Sequence, residues 1–184
     1  MTENLVFLES ERLILRPLIE EDFSSEYLSW LNDPKINEFS QRRPFPVSWQ
    51  GMKSYNDHYL NNPRQGFVLA VIDRKEEKHI GNISLVNIQQ VNRCAEIAIL
   101  IGDRNSWSKG YGGEAIELLT DHAFSALNLH KIFAGTFNPA FVACVKKLGW
   151  KKEGEFRERI WANNRYYNQI WMSILKSEVP TKEG

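Results

Sequence analysis

Gly110, Gly112 and Gly113 place three glycines within four positions, between a strand-like run, Ala95 to Ile101, and a helix-like run, Gly112 to Leu127. Few side chains crowd this turn, so backbone N–H groups can face one point. A helix starts at once, and its first N–H groups have no partner inside the helix while its dipole puts positive charge at the same spot. That combination suits a diphosphate. The unit also limits the fold. A strand, a glycine loop, a helix and a second strand, Lys131 to Phe137, make a βαβ crossover, which requires two parallel strands with a helix laid over one face. Two other phosphate loops do not fit: there is no GxxxxGK[ST], and no GxGxxG with repeated βαβ units around it.

The rest of the chain is of mixed type. Leu13 to Pro17 reads as a strand with Leu5 to Leu8 as its companion, and Glu20 to Leu31 as a helix ended by Asn32-Asp33-Pro34. Ser48 caps a second helix running to about Leu60. Gly66 to Ile72 and His79 to Val86 form a hairpin around a charged turn, and Arg93 to Ile101 is a third, more apolar strand. Along the helix after the glycines, Ala115, Ile116, Leu119, Ala123 and Leu127 share one face. Asn138-Pro139 opens another helix, with Phe141, Cys144, Val145 and Leu148 apolar, Lys146 and Lys147 in its last turn and Gly149 just past it. Glu155 to Trp161 and Arg165 to Leu175 close the chain as a hairpin turned at Asn163-Asn164. The sheet is therefore expected to be mixed, with helices on both faces. Residues 1–184 read as one α/β (mixed α+β) domain, its core about 8–176 and a frayed tail over 177–184.

Composition excludes several function classes. Lys plus Arg equals Asp plus Glu, 23 each, so no general positive field collects nucleic acid. No apolar run approaches the ~20 residues that span a bilayer, and Met1 to Glu9 lacks the basic and apolar regions of a signal peptide. Cys94 and Cys144 are the only cysteines, too few for a disulfide framework. A cytoplasmic protein is expected. His58, His79, His122 and His130 show no metal spacing, and neither HExxH nor GxSxG occurs, so a metal or serine-hydrolase mechanism has no foothold.

The pieces Leu8 to Pro17, Ile80-Gly81-Asn82-Ile83, Ala95-Glu96-Ile97, Trp107 to Ala115, Ala123 to Ile132 and Asn138 to Trp150 resemble, in this order, the GNAT superfamily of acyl-CoA-dependent N-acyltransferases. The likeness covers most of the chain and is nearest the branch with ribosomal-protein N-terminal and spermidine acetyltransferases. The family's cofactor motif is Arg or Gln, two variable residues, Gly, one variable residue, then Gly or Ala. Gly110 and Gly112 match it, and Trp107 stands where Arg or Gln is usual. The resemblance implies a centrally splayed sheet flanked by helices, with N–H groups of Ser108, Lys109, Gly110, Tyr111, Gly112 and Gly113 on the diphosphate of acetyl-CoA. It further implies that Ile99, Leu100 and Ile101 pair with the pantetheine arm like an added strand, and that Asn138 touches pantetheine besides capping its helix. Lys147, with Lys146, would meet the adenosine phosphate or simply offset the helix dipole.

On this reading acetyl-CoA is the co-substrate, with no metal, and the acetyl group passes by direct attack to a primary amine, on a small molecule or a protein N-terminus. Glu96 is the candidate base, drawing the amine proton through water, unless it is a solvent-facing residue paired with Arg93 or a neighbour. Glu114 more simply favours the dipole. A backbone N–H near Leu100 would hold the developing oxyanion. Where the branch usually has a Ser and a Tyr, this chain has Phe141 and Val145, so Tyr111, Tyr167 or solvent would return the proton to the leaving thiolate. Trp161, Tyr166, Tyr167 and Trp171 form an acceptor pocket, a dimer face or the packing of the last hairpin. A CoA-binding module without turnover and a mononucleotide-binding α/β protein are the competing readings.

Overall fold

The computed structural model describes residues 5–179. Among them, eight strands form one sheet in the order β1-β2-β3-β4-β5-β6-β8-β7. Strands β1 (Leu8–Glu9) and β2 (Leu13–Pro17) start the antiparallel half. Helices α1 (Ser25–Asn32) and α2 (Trp49–Asn61) follow, each capped by a serine: Ser24 accepts from Tyr27 N, and Ser48 from Gly51 N. The first helix is shorter than its sequence pattern, because Glu20 to Asp22 form a separate 3-10 turn and Ser24 then restarts the chain as a cap.

Strands β3 (Gly66–Asp73), β4 (Lys78–Gln89) and β5 (Cys94–Ile101) form a meander. Helix α3 (Tyr111–Ser125) crosses to β6 (Lys131–Thr136), the parallel partner of β5. Helix α4 (Pro139–Lys147) leads to the final hairpin, β7 (Lys151–Ala162) and β8 (Arg165–Leu175). Its turn residues Asn163 and Asn164 have φ of 49° and 57°, as a tight hairpin needs.

Two apolar clusters cover the two faces of the sheet. The larger joins α3 and α4 to the strands through Leu69, Ile83, Ile97, Ile116, Leu119, Ile132 and Val145. The smaller sits under α1 and α2 and is built on Tyr27, Trp30 and Met52, with Leu100 against it. Leu127 does not extend the α3 face: it lies past the last turn and is 38% exposed, because the helix stops at Ser125. The end of the chain is less frayed than its composition suggests. Lys176 to Glu178 form a 3-10 turn in which Glu178 accepts from Leu175 N and pairs with Lys151. Residues 180–184 lie outside the described residues.

The parallel contact of β5 and β6 is short. It covers Cys94↔Lys131, Ala95↔Ile132 and Glu96↔Phe133, and then ends. Antiparallel pairing of β5 with β4 continues to Ile101, and that of β6 with β8 to Thr136. The sheet is therefore open from Ile97 onward, between two strands that each keep a partner on the far side.

Candidate active site

The opening exposes one edge of β5, and alternation decides which residues line it. The Leu100 carbonyl oxygen lies 2.2 Å from where a Cβ on Gly81 would stand, so it faces β4. The backbone groups of one strand residue point to the same neighbour. Leu100 therefore gives its N–H and C=O to β4, and the groups of Ile99 and Ile101 face the opening. Of the N–H groups near Leu100, its own is turned to β4, and those of Ile99 and Ile101 are turned to the opening. The Ile101 carbonyl is already occupied: the Trp107 indole donates to it at 2.8 Å. Trp107 thus spends its N–H closing the end of β5 rather than on an anion. Among the described residues, the Ile99 N–H and C=O and the Ile101 N–H are left facing the opening. The side chains of Ile99 and Ile101 turn into the α3 core, while Leu100 packs on the α1 side.

The glycine loop meets this edge at the start of α3. Ser108 has φ of 60° and Gly110 of 87°, both left-handed, and left-handed backbone is cheap only for the glycine. The first internal bond of α3 runs from Glu114 N to Gly110 O. The N–H groups of Tyr111, Gly112 and Gly113 consequently have no acceptor in the helix, and Gly110 has no side chain to cap them. A Cβ on Gly112 would meet only Ile101 Cγ1 and Ile99 Cδ1, both at 3.9 Å. The folded chain itself has room for a side chain there, so the space beside these N–H groups fits an outside anion.

The loop is braced from a direction the sequence pattern did not indicate. Arg12 on the β1–β2 turn donates through Nη1 to Lys109 O (3.0 Å) and through Nε to Glu114 (2.8 Å). Ser10 also donates to Glu114. Glu114 is thereby a structural anchor. Tyr111 is pinned as well: its hydroxyl donates to Asp73 Oδ2 at 2.6 Å, and that hydrogen bond, ahead of burial, pushes its phenol above the usual tyrosine range. It does not suit a proton donor. On α4, Asn138 Oδ1 accepts from Ala140 N at 2.9 Å and Phe141 N at 3.4 Å. The cap leaves its amide nitrogen without a partner among the described residues. Cys144 Sγ lies 3.2 Å from the Cβ position of Gly113, burial pushes its thiol up, and the charge of exposed Lys147 acts on it. Lys147 therefore stands on the side of α4 next to the loop. Val145 is fully buried and Phe141 packs on the core.

Glu96 lies on the opposite face, at the base of the opening. It lines a cleft of about 480 Å³ with His58, Tyr59, Gln65, Asn87 and Trp171. Asn87 Nδ2 donates to Glu96 Oε2 at 3.0 Å. Arg93 is not its partner, because Arg93 is held by Asn128 O and Oδ1. His58 and Tyr59, contributed by α2, were not foreseen as site residues; an aromatic pair near the end of that helix was their only signal. Of the final aromatic cluster, Trp171 lines the cleft and Tyr167 packs at a tilt against Phe137, with ring centroids 5.4 Å apart. Hydrogen bonds with Asn163 and then Arg165 draw the Tyr167 phenol below its usual range. Trp161 and Tyr166 stay exposed.

The sheet thus opens beside a helix N-terminus whose first N–H groups have no acceptor in the helix, with a carboxylate cleft on the other face. The chain belongs to the acetyltransferase (GNAT) domain family, whose model matches residues 12–151. It is 31% identical over 176 residues to a Bacillus licheniformis protein called uncharacterized N-acetyltransferase p20, covering 93% of this chain and 97% of that one. It is 32% identical over 149 residues to spermidine N(1)-acetyltransferase of Vibrio cholerae, covering 80% and 84%. A solved structure of spermidine N-acetyltransferase from Vibrio cholerae with CoA and spermine superposes with a TM-score of 0.82 at 26% identity, covering 92% and 98%. Acetyl-CoA is the donor substrate of this chain, and N-acetylation of an amine is its reaction.

Proposed function

We propose that the acetyl group passes to a primary amine by direct attack within one ternary complex, the donor lying along the free edge of β5 and the amine entering from the Glu96 cleft. The observation that carries this reading is the β5–β6 opening, which joins the unpartnered N–H groups of α3 to the cleft. Acetyl-CoA supplies the thioester carbonyl and a thiolate leaving group. N–H groups from Ser108, Lys109, Gly110, Tyr111, Gly112 and Gly113 hold its diphosphate, strengthened by the α3 dipole. Ile99 and Ile101 offer strand-like hydrogen bonds to the pantetheine amides, and Asn138 adds its free amide N–H. Lys147 neutralises the adenosine phosphate.

An amine attacks only when neutral. Glu96, one face over and roughly 10 Å along the strand from Ile99, takes its proton through water. The Ile99 N–H, rather than that of Leu100, steadies the carbonyl oxygen as charge builds, a contribution of about 3 kcal/mol where such donors have been removed from enzymes. No side chain is assigned to reprotonate the thiolate, because Val145 and Phe141 carry no proton to give and Tyr111 is tied to Asp73; a thiol of pKa about 8.5 leaves without that help. Release of free thiol from acetyl-CoA, followed across a panel of primary amines, tests the reading. Turnover that requires both acetyl-CoA and an amine, without a burst of acetylated enzyme, supports it. A covalent acetyl-enzyme formed before amine is added overturns direct attack. The exposed Trp161 and Tyr166 suit a face for a second copy of the chain, which sedimentation would reveal as a dimer.

A further inference from the structure

We propose that the acceptor is an amine that also carries an anionic group, with Glu96 meeting the ammonium and Arg42 the anion. The inference rests on the transferase reading of the Glu96 cleft and names the chemistry of its second substrate.

Among the residues lining the cleft, Glu96 is the sole carboxylate. The other walls are neutral or donate: the buried Trp171 indole N–H has no partner among the described residues. Next to this wall stands a cation. The Arg42 guanidinium lies 4.4 Å over the ring of Tyr55. Tyr55 in turn meets Tyr59 edge-on at 5.3 Å, and Tyr59 lines the cleft. The opposed charges of Arg42 and Glu96 both act on the Tyr59 phenol, behind the larger effects of burial and Tyr55. Arg42 has no carboxylate or hydrogen-bonded acceptor for its side chain among the described residues. Four other cations have polar partners: Arg43 with Asn163, Lys53 with Glu20, Arg104 with Asp33, and Arg165 with the Tyr167 phenol.

A guanidinium placed over a ring still has N–H groups to offer a planar anion. A polyamine asks for the reverse arrangement, a row of carboxylates, one for each ammonium. Here the first ammonium would find Glu96 in the cleft, and a second one reaching past Tyr59 toward Tyr55 would approach the positive Arg42. The acceptor printed in the names of the spermidine-acetylating relatives therefore matches the charges along this wall less well than an amine that carries an anion. An amino acid or an acidic peptide N-terminus does, since both present an ammonium and an anion on one short frame.

The test measures thiol release from acetyl-CoA with amines of matched length that end in a carboxylate, a methyl group or a second ammonium: 4-aminobutyrate, butylamine and 1,4-diaminobutane, with shorter and longer homologues. Spermidine and a peptide beginning Ser-Asp-Glu complete the set, the peptide separating a protein N-terminus from a small amino acid as source. The expected result is the highest kcat/KM for an anion-bearing amine. Arg42→Gln should cut the preference for the carboxylate over the methyl partner by about tenfold, as loss of one charge-assisted hydrogen bond predicts. Arg42→Glu should shift preference to the second ammonium, with CoA affinity measured alongside to detect misfolding. Highest kcat/KM for spermidine or the diamine, or a preference unmoved in both variants, overturns the inference and leaves the transferase reading standing. Thiol release with none of these amines, in protein that binds CoA, brings down both.

Discussion

A side chain at Gly112 should separate folding from donor binding. Its φ is not in the left-handed region, and an added Cβ meets Ile101 Cγ1 and Ile99 Cδ1 at 3.9 Å, an ordinary contact. Alanine in a helix is favoured over glycine by up to about 1 kcal/mol, so Gly112→Ala should melt up to ~4 °C higher. The same Cβ stands beside the N–H groups of Tyr111, Gly112 and Gly113. Pushing a diphosphate off one charge-assisted hydrogen bond costs about 1.5–3 kcal/mol, or roughly ten- to a hundredfold in affinity. Gly112→Trp should abolish binding. Its neighbours differ: Gly110→Ala strains a backbone at φ 87°, and Gly113→Ala crowds Cys144 Sγ at 3.2 Å, so both should lose stability as well. Calorimetric titration with CoA, paired with a thermal melt of each variant, reads both quantities. Unchanged CoA affinity in Gly112→Trp would show that the diphosphate does not sit beside Gly112, and a Gly112→Ala that is less stable than the parent would show that the added Cβ has no room there.

Glu96→Gln should lower turnover about 10²- to 10³-fold near neutral pH and leave CoA affinity intact. The deficit should narrow at high pH, where the amine arrives neutral; a pH–rate profile parallel to the parent's removes Glu96 as base. Asn138→Ser keeps an oxygen to cap α4 and Asn138→Ala does not. Alanine should cost about 1 kcal/mol of stability, while both raise the KM for acetyl-CoA; a normal KM in the serine variant would confine Asn138 to capping. Burial holds His79 and His122 below the usual histidine pKa. The unfolded chain then binds more protons than the folded one, so stability is full above about pH 6.5 and falls as pH drops below it. His79→Gln, which retains a donor for Gly81 O, should flatten that decline in melts between neutral and mildly acid pH. An unaltered slope would show that His79 is not its source.

The crossover was legible because it is local. Strand, loop and helix are each marked by neighbours in sequence, and Asn138-Pro139 and Asn163-Asn164 state their turns outright. Leu127 misled because periodicity continues past the point where a helix stops. The direction of a backbone N–H was not legible at all. Whether Leu100 or Ile99 faces the opening depends on the register against β4, and the bulge near Gly81 in the β3–β4 pairing shows how readily register shifts in this part of the sheet. The brace from Arg12 to Lys109 O joins residues 97 apart in sequence, and the cleft draws on α2, β4, β5, β6 and β8. Partners at such separations are fixed by the packed sheet, so a residue type alone does not announce them. Glu96 itself stood out as a charge in an apolar strand; that Asn87 and not Arg93 holds it came from the turn between them.

A structure determined with CoA bound is the most direct test. The diphosphate should lie against the N–H groups of Tyr111, Gly112 and Gly113, with the pantetheine bonded to Ile99 along the open edge of β5 and its sulfur reaching toward the Glu96 cleft. A ligand whose diphosphate sits away from the start of α3, or whose arm leaves the β5–β6 opening empty, would contradict this placement.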